Sequence, residues 1–264
     1  MGWLDESSRK ELSRKRITIR DGLYGDLVAY DIEGYGYAET VENMSVESGE
    51  YRRSRSLIPK KYAGVRGYQF DWGLYKTDVT KEKNLTNSFT VMYQYFAESG
   101  KGLYIYSSTK GSGKTMLACC LGNEIVERYN TSLKFVTVLD LLEMAKRGYN
   151  GQESKKRMDE LYFSGILIID DLGTEMKKDW IDSVLFHLVD YRYTNRKVTI
   201  FTSNIEIDSL KLDERIINRI NEMCIPLHIP EKSIRSMNME SERRKFLSDI
   251  YAAGQKEIPP QTGG

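Results

Sequence analysis

Ser108-Thr-Lys-Gly-Ser-Gly-Lys114-Thr115 lies between an apolar run, Leu103–Ser107 (LYIYS), and a helical pattern over Gly113–Tyr129. Few segments constrain a chain so tightly. Glycines at 111 and 113 lack a Cβ, so several backbone N–H groups can approach one anion. The start of the following helix adds roughly half a positive charge facing the same point. A phosphate chain suits that cradle: Lys114 can reach β- and γ-phosphates, and Thr115 can offer its hydroxyl to Mg²⁺. The strict form of such a loop begins with glycine, and here Ser108 stands in that place. The candidate phosphate-binding set is Ser108, Thr109, Lys110, Gly111, Ser112, Gly113, Lys114, Thr115 and Met116. The bland alternative is a Gly-Ser turn that opens a helix and leaves the lysine in solvent.

A second motif weighs against that alternative. Ile166–Asp171 (ILIIDD) reads as a buried strand that ends in two carboxylates. A carboxylate at such a strand end can hold the water shell of Mg²⁺, and its neighbour can orient an attacking water. Asp170 is assigned to the metal together with Thr115, and Asp171 to the water. A single Asp after a core strand is commonly just an acidic turn; a pair downstream of a phosphate loop is not. Val198–Asn204 (VTIFTSN) repeats the logic with Thr202, Ser203 and Asn204 at the strand tip, where Asn204 can sense the γ-phosphate or its water. Arg215 and Arg219 in LDERIINRI are four apart and share a helical face. They read either as surface ion-pairing arginines or as arginines supplied to a nucleotide site, including that of a neighbouring subunit. Arg235 in KSIRS raises the same question.

Between these motifs the chain alternates strand and helix patterns. Leu133–Leu139 reads as a strand followed by a helix around Asp140–Arg147. Gly165–Asp170, Val198–Thr202 and Cys224–Ile229 read as further strands. Trp180, Val184, Leu188 and Tyr191 give the helix between two of them an apolar face. Alternation of this kind predicts an α/β fold with a mostly parallel five-stranded sheet covered on both faces. With 264 residues and 40% apolar composition the chain can fill such a core.

Charge is segregated ahead of that region. Residues 1–20 carry six bases against three acids, 21–50 carry eight acids and no Lys or Arg, and 51–67 carry six bases and no acid. Blocks of one sign mark interaction arms more often than core. The middle block is also rich in Tyr and Gly, so residues 1–56 read either as a loosely ordered arm or as a small partner-binding module, with 57–264 as the main domain. Lys146, Arg147, Lys155, Lys156 and Arg157 form either a solvated helix surface or a groove for single-stranded nucleic acid. Three cysteines cannot build a disulfide framework, and the adjacent Cys119 and Cys120 are poorly spaced as metal ligands and read as small core residues. His187 reads as a packed or surface side chain. No apolar run approaches the ~20 residues of a membrane span, and Met1–Glu11 is charged, so a cytoplasmic location with no membrane partner is expected.

The ordered set GSGKTMLA (111–118), IIDDLGTE (168–175), FTSN (201–204), DERIINRI (213–220) and SIRS (233–236) resembles the AAA+ ATPases. Within them it is most similar to the DnaC/DnaI-type replicative helicase loaders. The resemblance covers roughly residues 57–251, including IPKKYAG (58–64) and the QFDW stretch, which looks like the family's linker into the ATPase core. It implies a P-loop NTPase three-layer sandwich with a reduced C-terminal lid formed by a helix at about 239–253. It further implies Asn204 as first sensor, Arg219 as trans-acting finger and Arg235 as a second-sensor arginine. The implied ligands are ATP or ADP and Mg²⁺, with slow hydrolysis stimulated by DNA or partner. The implied partners are a hexameric replicative helicase, single-stranded DNA and, with ATP, further copies of the chain. The IstB-type helper ATPases of transposition share nearly the same core and form the alternative. A small-molecule P-loop kinase and a nucleotide-gated switch with negligible turnover are readings from other classes.

Overall fold

The computed structural model describes residues 16–20, 26–32, 36–42, 49–148, 152–173, 179–235 and 243–251. The chain divides into two compact units, Met1–Ser48 and Gly49–Gly264. The first contains β1 (Arg16–Arg20), β2 (Asp26–Ile32) and β3 (Gly36–Glu42), paired antiparallel in that order. Asp26 is opposite Glu42 and Ile32 is opposite Gly36, while the β1–β2 register shifts between Thr18 and Arg20. Segments rich in Ile, Val, Tyr and Thr suit such a ladder.

Residues 49–56, expected to belong with the N-terminal region, belong to the second unit. The reason is Arg52 of α1 (Gly49–Ser54), a buried guanidinium. Its Nε and Nη2 donate to Val126 O at 3.1 and 2.7 Å, near the end of α4 (Lys114–Arg128). Phe135 N also donates to Ser56 O at 2.7 Å.

The second unit continues with α2 (Thr80–Val91), α3 (Tyr93–Ser99), β4 (Gly102–Tyr106) and, after α4, β5 (Leu133–Thr137). Then come α5 (Val138–Gly148), α6 (Gln152–Phe163), β6 (Ile166–Leu172) and α7 (Asp179–Thr194). β7 (Val198–Ser203), α8 (Glu214–Met223) and β8 (Cys224–His228) follow, with a further helix over 243–251. The five strands lie in the order β5-β6-β7-β4-β8, and every pairing is parallel. This is the expected α/β sheet. Alternate strand residues serve opposite faces, as a two-residue period requires. Leu103, Ile105, Ile166, Ile168 and Ile200 join α2, α3 and α4 in one core layer. Tyr104, Leu167, Ile169 and Phe201 join α5 to α8 in the other.

Two boundaries differ from the sequence expectation. The second strand of the sheet ends at Thr137 rather than Leu139, because the Thr137 hydroxyl accepts from Asp140 N (3.1 Å) and donates to Asp140 Oδ2 (2.7 Å), turning the chain into α5. The Asp-bearing strand runs on through Leu172, which is buried. Arg192, fully buried on α7, donates to Leu161 O, Ser164 O and Val198 O at 2.8, 3.0 and 2.6 Å. It thereby satisfies carbonyls at the end of α6 and ties them to β7. Of the lid expected at about 239–253, the described part is the 243–251 helix.

Candidate nucleotide site

The segment between β4 and α4 is bent by two left-handed glycines, Gly111 (φ 77°) and Gly113 (φ 100°). A Cβ on Gly113 would lie 2.8 Å from Ile234 Cδ1 and 3.2 Å from both Phe70 and Tyr75, so both sterics and φ demand glycine. The QFDW stretch supports this turn from beneath. Phe70 and Trp72 stack edge to face at 4.8 Å between ring centroids, and the buried Tyr75 hydroxyl donates to Ser112 O. Lys114 is buried, and its Nζ donates to Ser107 O (2.9 Å), Thr109 O (3.0 Å) and Ser112 Oγ (3.2 Å). Burial lowers its pKa, against the raising effect of Asp171, Glu231 and Asp170.

Asp170 of β6 is buried behind the loop, and its Oδ1 accepts from two hydroxyls, Thr115 Oγ1 at 2.8 Å and Thr202 Oγ1 at 2.5 Å. Burial raises its pKa; the Thr202 and Thr115 hydrogen bonds and the charge of Lys114 act in the opposite direction. Thr202 Oγ1 in turn accepts from Asp171 N at 3.0 Å. Asp171 is exposed and takes a left-handed backbone (φ 60°), a conformation that costs a non-glycine residue energy and turns the chain at the sheet's carboxyl edge. Ser203 is committed elsewhere: its hydroxyl is buried and donates to Leu172 O at 2.7 Å.

These groups surround a cavity of about 620 Å³, within the size range of small-molecule sites. Of the candidate set it brings together Lys110, Gly111, Gly113, Lys114, Thr115, Met116, Asp171, Asn204 and Arg235. Ser112 and Asp170 are buried behind it, and Ser108 and Thr109 turn to Glu231 instead. Lys61, Tyr62, Val65 and Ile234 complete the wall; their role as lining was not read from sequence. The 62–65 turn is held from the core by Asn123 of α4, whose Nδ2 donates to Tyr62 O at 2.9 Å and Val65 O at 3.0 Å. No local pattern marks this contact, because Asn123 stands directly before Glu124 in the helix.

Arg215 and Arg219 share a face of α8, but neither lines the cavity. Arg219 Nε donates to Asp190 Oδ1 at 2.5 Å, and both guanidinium groups lie over the Phe186 ring at 4.8 and 4.5 Å. The Arg215 guanidinium also donates to Asp213, the N-cap of the same helix, at 3.0 and 2.9 Å. On α6, Lys155, Lys156 and Arg157 are exposed, whereas Lys146 of α5 lies 4.7 Å over the Trp180 ring. The side chain of Arg147 falls outside the described residues, as do residues 174 and 175 of the IIDDLGTE motif. His187 is exposed on α7, and Cys119, Cys120 and Cys224 are buried free thiols.

The family model described as "IstB-like ATP binding protein" matches residues 94–241, more than half of the chain and all of the loop, Asp170 and Arg219 motifs. The chain belongs to this family of IstB-like ATP-binding proteins. Among curated relatives, this IstB-like chain is 30% identical over 113 residues to the replicative helicase loader DnaI of Bacillus subtilis (strain 168), which is 42% of this chain and 36% of that protein. It is 26% identical over 140 residues to the replicative helicase loader DnaC of Escherichia coli (strain K12), 51% of this chain and 57% of that one. The matched stretch therefore spans about a third to a little over half of these relatives. A crystal structure of DnaI superposes with a TM-score of 0.57 at 26% identity, over 66% of this chain and 95% of that chain. A crystal structure of the DnaC helicase loader gives 0.54 at 26% identity, over 65% and 99%. The AAA+-like loader fold is thus shared over about two thirds of the chain. Among the described residues no helix is long and apolar enough to cross a membrane.

Proposed function

We propose that the chain binds ATP in the cavity over its phosphate loop, hydrolyses it slowly, and uses that cycle to help seat a replicative helicase on single-stranded DNA. The observation that carries this reading is the Lys114–Thr115–Asp170 constellation, set at one edge of a parallel sheet like that of the loaders. The N–H groups of the loop and Lys114 bind the phosphates, and Tyr62 and Val65 wall the far side. Mg²⁺ fits the donor set: Thr115 and Asp170 supply hard oxygens, one of them buried. No three His, Cys, Asp or Glu side chains converge among the described residues, so most remaining ligands come from phosphate and water, as Mg²⁺ prefers. When bound, the ion neutralises charge on the β- and γ-phosphates.

Asp171 accepts a hydrogen bond from the attacking water and orients it; Asn204, beside it on the cavity wall, bonds the γ-phosphate or that water. Arg235 reaches the phosphates from the C-terminal side. Arg219 acts on the site of a neighbouring copy when ATP drives assembly. Residues 1–48 supply the helicase contact, and the exposed bases of α6 meet the DNA backbone. A cytoplasmic location goes with this reading.

The resemblance to IstB-type ATPases, which the family match accompanies, keeps a second reading in view: a helper ATPase of transposition whose partner is a transposase and whose substrate is duplex DNA. Size-exclusion chromatography with ATP, ADP and single-stranded DNA, with and without the replicative helicase of the host, separates them. Co-elution with the helicase, altered by exchanging ATP for ADP, is expected. No co-elution in any nucleotide state, with capture of a transposase instead, overturns the loader reading.

A further inference from the structure

Glu231 lies three residues beyond β8, on the segment that also carries Arg235, and its carboxylate faces the start of the phosphate loop. Its Oε1 accepts from Ser108 N at 2.9 Å and lies 3.0 Å from His228 Nε2. Its Oε2 accepts from Thr109 N at 2.7 Å, Ser108 Oγ at 2.7 Å and Ser107 Oγ at 3.0 Å. Three and four residues later, Ile234 N and Arg235 N donate to Gly111 O at 3.0 and 3.1 Å. The segment therefore grips the loop twice, at its first residues and at its first glycine.

Two features gain a common cause from this contact. Ser108 stands where the strict loop pattern has glycine, and its hydroxyl is one of the donors that the carboxylate holds. A glycine there would keep the backbone donor and lose the hydroxyl. The carbonyls of Ser107 and Thr109, on either side of Ser108, are the ones that receive Lys114 Nζ. Desolvation acts against the Glu231 charge, but hydrogen bonds from His228, Ser108 and Thr109 outweigh it and hold the carboxyl well below the usual carboxylate range. The group is an anion at neutral pH.

We propose that Glu231 is a positioning residue of the nucleotide site: it clamps Ser107–Thr109 so that Lys114 is aimed at the phosphates, and it makes the Arg235 segment move with the loop. This rests on the nucleotide reading above. A carboxylate near a phosphate loop has an opposite reading, an anion that competes with the γ-phosphate, and the two differ in sign.

The test is titration of the full chain with fluorescent ATP and ADP, using Glu231→Ala, Glu231→Gln, Ser108→Gly and the Ser108→Gly/Glu231→Ala double variant, with Lys114→Ala as control. Loss of several hydrogen bonds to a charged but partly exposed acceptor predicts roughly 5- to 30-fold weaker ATP binding for Glu231→Ala. Glu231→Gln, with one acceptor oxygen left, should fall between it and the unmodified chain. Ser108→Gly should weaken binding when Glu231 is present and add little once it is gone. In the nucleotide-free protein, Ser108 and Thr109 amide exchange should rise in Glu231→Ala, with the melting temperature held within about 3 °C, a change too small for general destabilisation. Unchanged or tighter ATP binding by Glu231→Ala, while Lys114→Ala loses it, overturns the clamp and leaves the nucleotide reading standing. Normal binding by Lys114→Ala removes the nucleotide reading, and the clamp with it.

Discussion

Lys114 and Arg219 are both cations that the sequence offers to a phosphate, and the fold treats them in opposite ways. Lys114 is buried at the start of α4, held by carbonyls of its own loop and set in the cavity wall. Arg219 is half-buried on α8, bonded to Asp190 and stacked on Phe186, and does not line the cavity. One stands in a strand–loop–helix unit at the centre of a cavity that Asp171, Asn204 and Arg235 complete. The other is a guanidinium held by Asp190 and Phe186 on a separate surface, away from that cavity. A phosphate loop is local chemistry; an arginine on a remote helix acquires meaning only through what docks against it.

Four variants break or sharpen that contrast. A fully engaged arginine is worth ~10³–10⁵ in phosphoryl-transfer rate, so Arg219→Ala should reduce hydrolysis in ATP-driven assemblies by about 10³-fold while ATP affinity stays within about twofold. A coupled phosphate-release assay beside a fluorescent-ATP titration reads both. Lys114→Ala removes a buried charge from the phosphates, an effect of about 3–4 kcal/mol, so the same titration should show a ~10²–10³-fold loss of affinity. Affinity within about threefold of the unmodified chain contradicts the phosphate-loop assignment. Asp171→Asn should retain nucleotide and lose ~10²-fold in hydrolysis, and a normal turnover rate removes Asp171 from the water's path. Neutralising Lys155, Lys156 and Arg157 should have the mildest effect: single-strand binding weakens for any sequence, and the logarithmic salt slope falls by ~0.7 for each lost phosphate contact. An unchanged slope returns α6 to an ordinary solvated surface.

The legible part of this molecule was the part whose chemistry is contiguous in sequence. Gly111, Gly113, Lys114 and Thr115 are neighbours, and their backbone angles follow from residue type alone. The strand pattern ILIID likewise puts Asp170 at the sheet's carboxyl edge, and the Thr115 hydroxyl lies 2.8 Å from it. Thr202, read as one polar strand tip among three, turns out to hold Asp170 from behind, because β6 and β7 are adjacent in the sheet order. That adjacency is a property of topology, and no local pattern encodes it. The Asn123 bonds to Tyr62 O and Val65 O, and the Glu231 bonds to Ser108, join residues about 60 and 120 apart. Polar residues at such separations look like ordinary surface or core exceptions until the chain is folded. The β5–α5 boundary was missed for a smaller reason: Val138 and Leu139 are apolar, but the Thr137–Asp140 capping contact outweighs their strand propensity.

The central claim, that this chain binds ATP in its own cavity and completes catalysis on a neighbour's, is tested most directly by mixing two dead variants. Lys114→Ala has an intact Arg219 and no working loop; Arg219→Ala has an intact loop and no finger. Each alone should be inactive. Combined, in mixtures shown by size-exclusion to co-assemble, they should recover part of the unmodified ATPase rate, because some interfaces pair an intact loop with an intact arginine. Co-assembly with no recovery would contradict the account and leave Arg219 as the ion-paired partner of Asp190.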